Sequence, residues 1–500
     1  MDDPHRAAVE RIRSSIAQFY EAKRQFRVYH GSTNSTRHAN FQHDAIVDVS
    51  SLNRVIHIDT EKKTALVEPN VPMDALVQET KRVGLLPPVV MEFPGITVGG
   101  GFVGTAGESS SFKHGFFDRT VLSAEVILAD GRLVTASETS NVKLFNGLRG
   151  SFGTLGVLTL VELKLIDAKK YVEVTYQPTT SIDNAMSKLD EESKNKSHDY
   201  LDGILFSRTS GAIISGRLTD SSPSTFNFQR FSRPWDQWFY IHAENVTKHN
   251  KPHTELVPVE DYLFRYDRGA FWTGKYAFQY FLTPFNRLTR FLLNYFMHTR
   301  IMYHALHASG HTDHYLIQDL AIPTENAATF THFLDERFNL YPLWLCPLRS
   351  DTRSSMGHPQ PYHSKISNKE YTSSYISIGV WGPGPTSEPE FVKTNRDLEA
   401  RCAELGGLKW LYARVFYTEN EFWQIYDEEG YLALREKFNA TSLPSVWDKM
   451  RDRGRGKKSY GTGVKGVVKR VVMGNGFLSG IYGVWKAWRG GDYLIAKKKT

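Results

Sequence analysis

Gly99, Gly101 and Gly104 stand in GxGxxG spacing within "PGITVGGGFVGTAGESSSFKHGFFDRTV", residues 94–121. That spacing marks a dinucleotide fold only where it follows a strand, opens a helix, and is trailed about 20 residues later by an acidic residue for the ribose. Here the lead-in "GLLPPVVMEFPGITV" carries three prolines, which a central parallel strand does not tolerate. The following "AGESSSFKHG" is small and polar, with little helical periodicity. The dinucleotide-fold reading is therefore rejected. What remains is a run in which Gly99, Gly100, Gly101, Gly104 and Gly107 let the backbone pass close to a ligand, with Thr97, Thr105, Ser109 and Ser110 as small hydroxyl donors. Successive exposed amides in such a loop form an anion nest suited to a pyrophosphate or to the carbonyl edge of a flavin.

Two further small-residue loops flank it, "VYHGSTNSTR" (28–37) and "RGSFGTLGVLT" (149–159). Regular elements position all three. The opening "MDDPHRAAVERIRSSIAQFY" predicts an amphipathic helix, with Val9, Ile12, Ile16 and Phe19 on one face and a cap at Asp2-Asp3-Pro4. Strands are predicted over 45–50, 55–60 and 64–71. A helix then begins at Pro72, with Met73, Leu76, Val77, Thr80 and Val83 as its apolar face and Gly84 as its end. Asp130-Gly131 signals a hairpin, and 153–166 reads as a closing strand. From about 167 to 445 the pattern is α+β with long aromatic segments and no internal repeat. Residues 271–307 are crowded with aromatics but broken by Arg287, Arg290 and Arg300, so they form a buried lid or a segment dipping into a membrane face.

The 500 residues suit two to three domains, and the two cysteines, Cys346 and Cys402, exclude a disulfide framework. No Cys/His ligand spacing appears, so no metal site is expected. The net charge of +7 is a property of the end of the chain: residues 449–500 hold fourteen Lys or Arg against two Asp, and the rest is net acidic. With Phe477, Ile481, Trp485 and Trp488 interleaved, that basic tail suits an anionic membrane surface or a solvated extension. No nucleic-acid-binding module accompanies the charge. No signal peptide and no spanning apolar run are seen. The expected location is the cytosolic face of a membrane, the endoplasmic reticulum in particular, or the cytoplasm.

Taken together, the three loops resemble the FAD-binding domain of the vanillyl-alcohol-oxidase superfamily, of PCMH type. The resemblance implies that Gly31, Ser32, Thr33, Asn34 and Ser35 cradle the pyrophosphate. By the same resemblance Thr97 to Ser110 run along the FAD (Thr97, Val98, Gly99, Gly100, Gly101, Gly104, Thr105, Gly107, Glu108, Ser109 and Ser110). Gly153, Gly156 and Val157 match the late strand that contacts it, and Glu108 and His114 lie on the flavin loop. Relatives with covalent flavin often have a His where Thr33 stands, and His30 is out of register, so the FAD is expected to be non-covalent. A narrower resemblance covers 45–445. "YLFRYDRGAFW", "HYLIQDLAIP", "LYPLWLCP" and "EFWQIYDEEGYLALREKF" look like the delta-24 sterol reductases. The implied architecture is α+β: an N-terminal helix (1–25), a two-subdomain PCMH-type FAD-binding domain (26–166), an α+β substrate or cap domain (167–445) and the basic tail (446–500). The N-terminal membrane helix of animal and plant members is not seen, and the basic, Trp-containing extension is additional.

That family reduces the side-chain double bond at carbon 24 of a sterol, using FAD recharged by transiently bound NADPH. An isolated alkene is not polarised by a carbonyl, so the expected route is protonation at carbon 24, cation character at carbon 25, and hydride from reduced flavin. The candidates for the acid and its surroundings are His314, Asp319, Tyr417 and Glu421, with His311, Tyr412 and Arg414 nearby in sequence. Arg265 and Arg268 either bind cofactor phosphate or pair within the fold. The alternatives on the same fold are an FAD oxidase or dehydrogenase of another apolar metabolite, and a catalytically idle sterol-binding protein at a membrane. The expected partners are a sterol-like apolar molecule and a membrane, the latter through 271–307 and the basic tail.

Overall fold

The computed structural model describes residues 3–37, 41–222, 226–311, 315–349, 356–358, 374–451, 471–473, 475–491 and 494. Pro4 takes the first turn of helix α1 (Pro4–Glu21), where its missing N–H is not needed, and the Asp3 carboxylate accepts from the His5 amide at 3.0 Å. Val9, Ile12 and Ile16 are buried against Val47, Val49, Ile127 and Val157, and Phe19 stays half-buried.

Strands β1 (Arg27–Tyr29) and β2 (Ile46–Asp48) form a parallel pair. There follow β3 (Val55–Asp59), β4 (Thr64–Val67), β5 (Leu85–Leu86), β6 (Val121–Ile127), β7 (Leu133–Ser137), β8 (Val157–Lys164) and β9 (Ile166–Asp167). Five of them make an antiparallel sheet in the order β3-β4-β8-β6-β7, and the predicted hairpin is β6–β7, turned by Gly131 at φ +85°. Helix α2 (Met73–Arg82) buries Met73, Leu76, Val77 and Thr80, but Val83 is exposed because the helix has already ended. Gly84 follows at φ +78°. The glycine run is not a loop. Val98–Val103 forms a short helix, α3, capped by Thr97, whose hydroxyl accepts from the Gly100 amide at 3.2 Å. Ser111–His114 forms another, α4.

The second sheet is antiparallel throughout and eight-stranded: β10 (Tyr171–Thr179), β11 (Tyr200–Ser207), β12 (Ser210–Thr219), β13 (His253–Pro258), β14 (Tyr315–Pro323), β15 (Leu343–Arg349), β16 (Ser374–Pro383) and β17 (Leu408–Lys409). Its order is β13-β10-β12-β11-β15-β16-β14-β17. Period-two alternation sorts its residues. Leu316, Leu320 and Ile322, Leu343 and Leu345, and Ile376, Ile378 and Val380 pack into one core with the flanking helices Ile182–Ser193, Thr324–Phe338 and Glu388–Glu404. Their alternates, among them Ile317, Trp344, Cys346 and Trp381, join the core shared with the first sheet. The result is a mixed helix-and-sheet architecture, α+β as expected.

Segment 271–307 divides between the two readings offered for it. Phe271, Trp272, Phe278 and Tyr303 are buried, whereas Leu282, Leu288, Phe291, Leu292 and Tyr295 face outward. Among the described residues no helix is long and apolar enough to cross a membrane. The boundary drawn at 446 needs correction: helix Val446–Met450 buries Val446, Trp447 and Met450, with Trp447 against Phe422 (ring centroids 5.2 Å).

Candidate active site

Between the two sheets lies a cavity of about 320 Å³. The three loops, far apart in sequence, meet there: Ser32, Thr33, Asn34 and Ser35 from the first, Thr97, Gly99, Gly100, Gly104, Gly107 and Glu108 from the second, and Gly153, Gly156 and Val157 from the third. The opposite wall carries Asp319 of β14, Trp344 of β15 and Ser377 and Trp381 of β16, with Trp410 and Tyr412, while Lys449 lines the cavity beside the first and third loops.

Most of the glycines are required by the protein's own packing and not by a ligand. A Cβ on Gly101 would stand 2.4 Å from Met91 Cε and 3.0 Å from Phe117 Cδ1; on Gly99, 2.8 Å from Pro69 Cβ; on Gly156, 2.5 Å from Val126 Cγ1. Gly100 and Gly153 differ, meeting nothing nearer than the Thr97 hydroxyl at 3.1 Å and the Gly156 carbonyl at 3.9 Å. The anion nest expected along the glycine run is likewise not there. Gly101 and Gly104 donate to the carbonyls of Thr97 and Gly100 and Gly100 to the Thr97 hydroxyl, because the run is helical, and Gly99 donates across to the Pro69 carbonyl. Donors of that kind sit in the first loop instead. The amides of Ser32, Thr33 and Asn34 make no hydrogen bond to another described residue.

Beside them the cavity is cationic. Arg37 is pushed down to about 9 and Lys449 to about 7, in both cases by burial first and then by neighbouring cations, Arg27 among them. Neither has a carboxylate partner among the described residues: Lys449 donates to the Phe152 carbonyl, and Arg37 to the Ser35 hydroxyl at 2.9 Å and the Lys449 carbonyl at 3.2 Å. The buried Nδ1 of His30 and Oε2 of Glu108 also have no hydrogen-bond partner among the described residues. These cations, open amides and orphaned polar atoms fit a long cofactor with an anionic middle.

The far end is aromatic and carboxylic. Phe93 packs on Phe271, Tyr303 and Trp381 at ring-centroid distances of 5.5, 6.1 and 5.7 Å, and Phe271 on Trp344 at 5.3 Å. Asp319 accepts from the Tyr412 hydroxyl at 2.7 Å and the Trp381 indole at 3.1 Å, yet burial still raises its pKa to about 6. Its place is made by the absence of a side chain across the ladder: Asp319 pairs with Gly379, where a Cβ would lie 2.9 Å from Asp319 Oδ1 and 3.1 Å from Trp344 Cβ. Glu92, from the proline-rich lead-in, is 4% exposed, and its Oε1, 3.9 Å from the Arg265 guanidinium, has no hydrogen-bond partner among the described residues. Burial is the main cause that lifts it to about 8, against the pull of Arg265.

Several expected site residues lie elsewhere. Gly31 only turns the chain, at φ +84°, and Val98 is buried in α3. Thr105 donates to the Gly104 and Gly357 carbonyls, at 2.8 and 3.0 Å. The Ser109 carbonyl accepts from the Leu201 amide at 2.7 Å, and Ser110 is buried beside it. His114, on α4, does not reach the cavity. Tyr417 is also outside it, 5.9 Å from the Lys409 ammonium over its ring. Glu421 is the third residue of a capping box with Thr418 and an ion-pair partner of Arg396 at 2.8 Å, so it holds a helix end. Arg265 pairs with Asp202 at 2.8 Å, and Arg268 donates to backbone carbonyls of Phe231, Pro234 and Asp236, so both work within the fold. His314 lies outside the described residues. Sequence reasoning does not single out Glu92, Trp344, Trp381 or Lys449; the signals available are the charge of Glu92 amid "PPVVMEF" and the place of Trp344 in "LYPLWLCP".

Adjoining the cavity is an apolar chamber of about 140 Å³, whose lining includes Met297, Met302, Leu306, Ile317 and Val484. Tyr303 and Trp381 line both spaces, so the Trp381 indole that bonds Asp319 is also a wall of the chamber.

Residues 7–137 match the family described as FAD binding domain, so the cavity belongs to an FAD-dependent oxidoreductase. The chain is 30% identical over 410 residues to the human Delta(24)-sterol reductase, covering 80% of this chain and 76% of that one. It is 27% identical over 423 residues to the Caenorhabditis elegans Delta(24)-sterol reductase homolog (80% and 78%) and 28% identical over 423 residues to the Arabidopsis thaliana Delta(24)-sterol reductase (79% and 74%). The chain is a member of the delta(24)-sterol reductase family.

Proposed function

We propose that this oxidoreductase reduces an isolated side-chain double bond, at carbon 24, of a sterol-like molecule, with NADPH as transient reductant. The observation that carries the reading is the junction of the polar cavity with the apolar chamber at Tyr303 and Trp381, where the Asp319 carboxyl bonds the Trp381 indole and Glu92 lines the same cavity.

In this reading Ser32–Asn34, Arg37 and Lys449 hold the anionic middle of a non-covalent FAD, while Gly100 and Gly153 leave room for it. FAD, once reduced, supplies hydride. Glu92, at about 8, is protonated at neutral pH and donates its proton to carbon 24. Asp319, at about 6, is mainly ionised there, and with the faces of Phe93, Trp344 and Trp381 it stabilises the positive charge developing at carbon 25. Two carboxyls whose surroundings drive their pKa values apart thus divide the roles of acid and anion. Tyr412 and Trp381 orient the Asp319 carboxylate, and the rings exclude water that would otherwise quench the cation. Support for contact with the cytosolic face of the endoplasmic reticulum membrane comes from the exposed apolar residues of 282–295 and the basic end of the chain.

Incubation of the purified protein with FAD, NADPH and a sterol bearing a carbon-24 double bond tests this, read by product mass. A gain of two hydrogens is expected. Flavin that NADPH does not bleach but an alcohol or amine does would replace the reductase by an oxidase.

A further inference from the structure

Helix Gly476–Arg489 turns an apolar face outward: Phe477, Leu478, Ile481, Trp485 and Trp488 are 40–64% exposed. Its other face, Ser479, Gly480, Gly483 and Ala487, is buried. The seat is the helix Thr299–Ser309, and it admits no side chain: a Cβ on Gly483 would stand 2.5 Å from the Ala305 carbonyl oxygen. Through Gly480 and Val484 the outer helix roofs the apolar chamber. Its start is latched, with the Tyr280 hydroxyl donating to the Gly476 carbonyl and His311 Nε2 3.2 Å from both the Tyr280 hydroxyl and the Ser479 hydroxyl.

The outward face continues onto the exposed Leu282, Leu288, Phe291 and Leu292, the two joined where Phe281 meets Phe477 at 6.1 Å between ring centroids. Its surroundings are cationic. Lys486 and Arg489 lie over the Trp485 ring at 5.5 and 5.4 Å, and Arg287 and Arg290 accompany the second patch. An aromatic and aliphatic face with a cationic border suits the interface of an anionic bilayer.

We propose that this helix rests in the outer layer of an anionic bilayer and is the gate through which an apolar substrate enters the chamber from the membrane, opening at the Tyr280–His311–Ser479 latch. The identity of the substrate rests on the function proposed above; the surface itself does not.

The test compares the full chain with a W485S/W488S variant, neither residue lining the chamber, after both show the same bound-flavin spectrum. Sedimentation with phosphatidylcholine vesicles containing about 30% phosphatidylserine should capture the wild type and bind the variant about tenfold more weakly, with little capture of either by pure phosphatidylcholine. Transfer of a fluorescent sterol from the anionic vesicles to the protein should slow about tenfold in the variant, while transfer from cyclodextrin is unchanged. A second variant, Tyr280→Phe with Ser479→Ala, should speed transfer without altering vesicle binding. Equal vesicle binding by wild type and W485S/W488S, or a wild-type dimer that the same substitutions split, overturns the membrane surface. Vesicle binding lost with sterol transfer unchanged overturns the gate. Sterol transfer that behaves as expected without any sterol reduction leaves the gate standing and sinks the proposed chemistry instead.

Discussion

On the wall of the cavity made by the three loops, backbone faces inward: the amides of Ser32 to Asn34, and the glycines at 100 and 153. On the wall made by the eight-stranded sheet, side chains face inward: Asp319, Trp344 and Trp381, each from a different strand. The first wall is built from continuous stretches, because a backbone cradle needs several small residues in succession. The second is built by alternation, one inward residue in two, from strands distant in sequence. The first kind of surface suits a long cofactor and the second a compact reaction centre.

That contrast invites substitutions on each wall. Glu92→Gln, at the aromatic end, should lower turnover by about 10²–10⁴-fold, measured on the alkenyl sterol, while flavin binding stays intact. Gly101→Ala and Gly100→Ala should part company. The former crowds Met91 and Phe117 and costs about 1–3 kcal/mol in denaturant unfolding; the latter leaves stability nearly unchanged but weakens retention of FAD in equilibrium dialysis. Lys449→Met should weaken FAD binding by about tenfold, an effect of about 1.4 kcal/mol, and leave the turnover of fully loaded protein unaltered.

The pH dependence sharpens the division of labour between the carboxyls. Turnover should fall above about 8 as Glu92 loses its proton and below about 6 as Asp319 gains one, and Asp319→Asn should abolish the acidic limb. Both pKa values are raised on folding, so at these two sites the folded chain binds protons more tightly than the unfolded chain. This contribution to apoprotein stability is present in acid and is lost as pH rises through about 6 and about 8, which thermal melts across that range would register. The smallest effect belongs to Glu421→Gln, which removes a surface ion pair while leaving a side chain able to cap. Less than about 1 kcal/mol of stability and no change in turnover are expected.

The backbone wall was legible in the sequence, since three clusters of Gly, Ser and Thr announce themselves, and so were α1, α2 and the β6–β7 hairpin. The reason for the glycines was not legible, because a Gly that meets Met91 and one that faces open space look alike in one dimension. On the side-chain wall Asp319 was found through its family segment, whereas Glu421, equally acidic, proved to be a helix cap. Trp344 lies in the family segment "LYPLWLCP", which does not single it out, and nothing local marks Glu92 or Trp381, whose neighbours arrive from other strands. The same holds for Lys449, which the charge run around it assigned to the tail.

Ser35 donates its hydroxyl to the Tyr412 carbonyl at 2.7 Å, and Arg37 reaches the carbonyl of Lys449 at 3.2 Å. The first loop to leave the ribosome is therefore completed by residues translated some four hundred positions later. Cofactor loading must wait until Tyr412 and Lys449 have been made, so a chain cut short before them should be colourless however well the five-stranded sheet has formed.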